Sequence, residues 1–146
     1  MNLQERRALL HQSYQTLWDW AENRGYQIIE DPDVQDACWP DVKQITICSR
    51  QGIEKRLYAF LHECGHALIR SSWQSFSKQY PAHAHAEVKK QTNPSKKYRI
   101  SVLEEEVEAW KRGLKLANRL GIYIDEEKYN QNKTHYLLTY AQWATE

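Results

Sequence analysis

The chain has 146 residues, a length that suits one domain, 1–146, built around one core. Its hydrophobic content of 41 % and charged content of 27 % are those of a globular protein, and a net charge of +1 does not advertise a nucleic-acid or membrane partner. No apolar run is long enough to span a bilayer, and three unevenly spaced cysteines make no disulfide framework.

The first residues, MNLQERRALLHQSYQ, are polar and lack the apolar block of a secretory leader, so the expected location is cytoplasmic. Leu3, Leu10, Tyr14 and Leu17 recur at helical spacing, with Trp18 beside them, and Gly25 supplies a left-handed stop. This predicts a helix over residues 3–24. Residues 26–30 read as a short strand closed by Asp31-Pro32, and a loop marked by Cys38-Trp39-Pro40 follows. Residues 43–48 alternate, with Ile45 and Ile47 on one face. Ser49 is a candidate cap for the next helix, which carries residues 57–70.

Residues 71–99 hold two prolines and no clear period, which predicts a long loop and a candidate lid. Between residues 77 and 99 the basic side chains are Lys78, Lys89, Lys90, Lys96, Lys97 and Arg99, against Glu87 alone. Such a loop is either solvated or suited to acidic or nucleic-acid-associated substrates. Two further helices are predicted. One covers residues 101–120 and stops at Gly121; the other starts near Asp125 and turns Tyr136, Leu137, Tyr140 and Trp143 to the core.

The chemistry concentrates in His62-Glu63-Cys64-Gly65-His66. Four residues are slightly more than one helical turn, so both imidazoles leave one face and can share a metal ion, with zinc the natural choice for such donors. Glu63 lies roughly 100° round the helix, beside the ion rather than on it, where it can take a proton from metal-bound water. Leu57, Phe60, Leu61, Cys64, Ala67 and Leu68 make the remaining faces apolar, so this helix is buried almost all round. Buried imidazoles and a carboxylate need a partner, and a metal is the simplest one. Cys64 points away from the histidines and reads as a core thiol. Gly65 marks a close approach by another element.

A catalytic zinc usually keeps three protein ligands. The downstream candidates are His83, His85, His135 and the run Glu104-Glu105-Glu106-Val107-Glu108. At roughly 100° per residue, Leu103, Val107, Trp110, Leu114 and Ala117 form an apolar stripe, extended by Val102, Ala109, Gly113 and Leu120. Glu106 falls in that combined face. Glu104, Glu105 and Glu108 fall opposite, with Lys111, Arg112 and Lys115, as a solvated face with pairs such as Glu108 with Arg112. Glu106 is therefore the expected third ligand, and Ala109 and Gly113 are small enough to let the helices close there.

HECGHALI, preceded by a short strand and followed by Glu106-Val107-Glu108-Ala109, resembles the minimal gluzincin zinc metallopeptidases, most closely the ImmA/IrrE-type and related phage or bacterial peptidases. The resemblance covers about residues 43–120. It implies an α+β, zincin-like fold in which a small twisted sheet packs on an active-site helix and a glutamate-bearing helix. It also implies Glu106 as a ligand, a protein or peptide substrate laid antiparallel along an edge strand, and hydrolysis by metal-activated water with Glu63 as general base. Residues 43–48 are the candidate for that edge. These families usually carry Asn or Asp after the Ala, where this chain has Trp110, whose indole only donates; the support for a ligand imidazole must come from elsewhere. Two other readings stand beside this one: a SprT-like, DNA-associated zinc protease using His83 or His85, and a zinc-stabilised binding or regulatory protein without turnover. Tyr80, His83, His85, Tyr98 and His135 are all candidates for stabilising the oxyanion.

Overall fold

In the computed structural model, residues 1–79 and 95–146 are described. They form an α+β fold, mostly helical, with one small sheet. Helix α1 runs Leu3–Asn23 and opens on a reciprocal cap: Glu5 N donates to Asn2 Oδ1 at 2.8 Å, and Asn2 N donates to Glu5 Oε2 at 3.2 Å. Gly25, at φ +87°, turns the chain into strand β1, Gln27–Asp31. Strand β2 is Ala37–Trp39, followed by a single 3₁₀ turn over Pro40–Val42, and β3 is Gln44–Cys48.

The strand order is β1-β3-β2, with β1 parallel to β3 and β2 antiparallel to it. Cys38 and Trp39 are therefore a strand rather than a loop. Three residues beside a proline are too few to display an alternation. This short strand also moves the sheet edge: β3, the expected edge, is central, and β2 lies outside it. Ile45 and Ile47 of β3 are fully buried, as their alternation predicted.

Helix α2, Ile53–Ser71, begins after Gly52. Ser49 does not cap it; its N–H donates to Asp31 O at 3.1 Å and closes the β1–β3 pair. Helix α3 is Trp73–Gln79, α4 is Lys96–Leu120 and α5 is Glu126–Thr145. The expected loop over residues 71–99 is thus shorter at both ends. Trp73 and Phe76 stack at 5.6 Å and pack with Ile69 and Ala109, giving α3 its anchor from only two apolar residues. Ser95 caps α4, accepting from Tyr98 N at 3.2 Å, so α4 starts five residues earlier than its apolar period. Of the candidate lid over residues 71–99, the stretch 80–94, with Tyr80, His83, His85, Lys89 and Lys90, lies outside the described residues.

Helix α2 packs against α1, α3, α4, α5, β2 and β3. Its Leu57, Phe60, Leu61 and Cys64 meet Tyr14 and Leu17 of α1, Ile45 and Ile47 of β3, and Leu116 and Tyr129 further on in one buried cluster. The contact with α4 is the closest: a methyl group on Gly65 would overlap the carbonyl of Ala109, and one on Gly113 would stand 2.6 Å from Leu61 O. Gly121, at φ +68°, ends α4, and Asp125 caps α5 by accepting from Lys128 N at 3.2 Å. No helix among the described residues is long and apolar enough to cross a membrane.

Candidate metal centre

The close α2–α4 crossing sets the geometry of the site. His62 and His66 leave α2 one turn apart, and Glu106 enters from α4, one turn before the Ala109 that presses on Gly65. His62 Nε2 stands 2.8 Å and His66 Nε2 3.0 Å from Glu106 Oε2, and the two nitrogens are 3.2 Å apart. His62 is 2 % exposed and Glu106 7 % exposed, so these atoms meet out of bulk water.

A further carboxylate lies near Nδ1 of each imidazole. His66 Nδ1 lies 2.7 Å from Glu105 Oε2, and His62 Nδ1 lies 3.2 Å from Glu63 Oε2. The placing of Glu105 corrects the helical-wheel expectation, which set it on the solvated face with Glu104 and Glu108. With the backbones held so close, even the flank of α4 faces α2, and a glutamate side chain is long enough to cross. The predicted Glu108–Arg112 pair is present at 3.0 Å. Arg112 is not merely solvated, because it also donates to Leu68 O at 3.2 Å and Ser72 Oγ at 2.7 Å, tying α4 to the end of α2.

Charge follows from these contacts. Burial alone pushes the Glu106 carboxyl up, but hydrogen bonds with His62 and His66 bring it down to about 2. Burial lowers His66, yet Glu105 and Glu106 outweigh it and hold the ring well above its ordinary value. His62 is likewise raised against burial, by the charge of Glu63 and by hydrogen bonds to Glu106 and Glu63. Three carboxylates therefore gather around two imidazoles.

The donor set fits a divalent metal. Zinc with ligands at about 2.0–2.1 Å in tetrahedral array sets its ligand atoms about 3.3 Å apart. The two Nε2 atoms and Glu106 Oε2, at 2.8–3.2 Å, are near that spacing. A wider set, His62, Glu63 and His66, has ligand atoms within 4.8 Å of one another. The tighter set matches that spacing better, and Glu63 lies outside it.

Trp110 lies flat on His62, with centroids 4.6 Å apart and planes 10° from parallel. The residue in the place of the expected Asn or Asp therefore buttresses the imidazole by its face. Its indole N–H is buried with no hydrogen-bond partner among the described residues. Tyr136 of α5 stands at the edge of the imidazole, its ring 4.7 Å from His62 and 5.8 Å from Trp110, and its hydroxyl donates to that of Tyr140 at 3.2 Å. Neither tyrosine was singled out as a site residue from the sequence, where both read as core positions of the last helix. Their signal was only that two phenols shared a face with i,i+4 spacing. Burial, then the charges of Glu106 and Glu63, hold the Tyr136 phenol well above its usual range, so it is a protonated donor.

Two cavities flank Glu63. One, of about 290 Å³, opens over His66, Glu105 and Glu106 and is bordered by Ala37 and Cys38 of β2. The other, of about 360 Å³, opens beyond His62 towards the start of α2. Asp36 and Tyr136 border both. Burial, helped by the nearby charge of Glu63, pushes the Cys38 thiol up to about 12, so it lines the cavity as a neutral group. Cys64 is fully buried, as expected of a core thiol. His135 borders only the second cavity, away from Glu106. No family model, no curated protein and no solved structure matches this chain.

Proposed function

We propose that this chain is a zinc-dependent peptidase of the minimal gluzincin kind, with His62, His66 and Glu106 as the metal ligands and Glu63 as general base. One observation carries the reading: two imidazole nitrogens from one helix and a carboxylate oxygen from another meet within 2.8–3.2 Å, with a second buried carboxylate, Glu63, alongside. The position of Glu106 favours it as third ligand over His83 and His85, which lie outside the described residues, and so favours this reading over a SprT-like protease.

Zinc bound there supplies an activated water and polarises a substrate carbonyl. The chain's own groups divide the remaining work. Glu63 accepts the proton of the attacking water and returns it to the leaving amine. Glu105 orients His66 through Nδ1, and Trp110 holds the plane of His62. Tyr136, a protonated phenol against His62 and bordering both cavities, donates to the carbonyl oxygen as it gains charge. Without substrate that O–H donates to the Tyr140 hydroxyl, one turn further along α5, and it turns from Tyr140 to the carbonyl oxygen when substrate binds. Strand β2, at the sheet edge and bordering the first cavity, offers its backbone to an extended peptide.

Digestion of a denatured proteome tests the reading. The wild type with zinc is expected to produce new peptide termini, and Glu63→Gln is expected to retain zinc and produce none. Cleavage undiminished in Glu63→Gln would remove the assigned base. A wild type that binds zinc and cleaves nothing would support the non-catalytic zinc-stabilised alternative.

A further inference from the structure

The cavity beyond His62, about 360 Å³ in volume, has the size of a ligand pocket. On one side it is walled by Lys55, Ala59 and His62, which share one stripe of α2; on the other by Asn132, His135 and Tyr136 of α5. Ala59 is the small residue that leaves the space open. Trp110 also borders it, so the pocket runs directly up to the ring that supports His62.

The acids nearby are already engaged. Asp36, in the wall, accepts from Gln51 Nε2 at 2.8 and 3.0 Å and from Cys48 N at 2.8 Å. Glu54, next to Lys55 in sequence, is engaged by Arg6 and by the Tyr58 hydroxyl, and lies 3.5 Å from Lys128. Glu63 faces His62. Lys55 itself has no ion pair among the described residues, and its ammonium is the cation that this wall leaves unpaired, while Asp36 is held in place by neutral donors. Asn132 and His135 add N–H donors from the facing helix.

We infer that this groove binds a carboxylate of the substrate peptide, held by Lys55 with Asn132 and His135 opposite. The identity of the ligand as a peptide rests on the peptidase reading above; the unpaired ammonium of Lys55 does not. Lys55 lies two helical turns from His62, about 10 Å along the axis. An extended chain advances about 3.3 Å per residue, so with the reach of a lysine the carboxylate sits one or two residues from the cleaved bond. Two sources share this chemistry: an Asp or Glu side chain, and a chain's own C-terminus.

Binding of four short, otherwise neutral peptides to the full-length Glu63→Gln protein, prepared with zinc, separates them. The peptides carry Glu or Gln at an internal position, each with a free or an amidated C-terminus, and the readout is tryptophan fluorescence, since Trp110 borders the groove. A preference of about three- to fivefold for the carboxylate-bearing member is expected, the scale of a partly exposed ion pair. Preference that follows Glu assigns a side chain, and preference that follows the free terminus assigns a C-terminus. Lys55→Met is expected to abolish either preference, and Lys55→Glu to invert it towards a Lys-bearing peptide. Equal binding of all four, or a preference that survives Lys55→Met, overturns the inference. Wild-type protein that hydrolyses none of the peptides while the preference persists overturns the peptidase reading and leaves the carboxylate site in place.

Discussion

At the scale of single residues, Glu105 and Trp110 each support one of the imidazoles proposed as ligands. Glu105 touches His66 Nδ1 at 2.7 Å, and a carboxylate behind a ligand imidazole raises its basicity and fixes its tautomer. Glu105→Ala is expected to weaken zinc binding about 10- to 100-fold while leaving the melting temperature of the metal-free protein within a few degrees. Competition against a chelator measures the first effect and calorimetry the second. Trp110 contributes by its ring rather than by its buried, unpartnered N–H. Trp110→Ala is expected to cost about 3–5 kcal/mol, as large-to-small changes do. Trp110→Phe removes the orphaned donor, keeps a ring against His62, and is expected to cost less than about 1.5 kcal/mol. Denaturant unfolding of both variants checks this; equal losses would mean that the indole N–H has a partner after all.

At the scale of elements, the crossing of α2 and α4 is the device that makes the site. Neither helix carries all three proposed ligands alone. Gly65 lets the backbone of α4 approach until Glu106 reaches both imidazoles, and Gly113 does the same one turn beyond Ala109. Gly65→Ala would gain about 1 kcal/mol of helix propensity but must push Ala109 away. The expected net result is a loss of about 2 kcal/mol in stability, with a larger proportional loss of zinc affinity because Glu106 retreats with α4. Unfolding and zinc titration on the same preparation test the coupling. A variant that loses stability but binds zinc as tightly as wild type would show that Glu106 is not held by this contact.

At the scale of the whole molecule, the sequence exposed what is periodic and hid what is brief. The Leu10, Tyr14 and Leu17 part of the α1 stripe, the alternation of β3, the HExxH face of α2 and the inward phase of Glu106 were all legible from the period of each element, whereas Leu3, read into the same stripe, is 85 % exposed. Strand β2 and helix α3 were not, since three residues and seven residues give a period no room to show. Missing β2 misplaced the sheet edge from β2 to β3. Glu105 was misread for another reason: a helical wheel ranks directions about one axis, whereas contact depends on how close the second helix comes. Tyr136 and Tyr140 looked like core residues because a wall of a buried cleft and a core carry the same composition.

The central claim is that His62, His66 and Glu106 together hold one zinc ion. Zinc content per chain, by elemental mass spectrometry after gel filtration, tests it most directly across the wild type, Glu63→Gln and Glu106→Ala. One zinc per chain in the first two and almost none in Glu106→Ala is the predicted result. A wild type without zinc, or a Glu106→Ala variant that keeps it, would contradict the account.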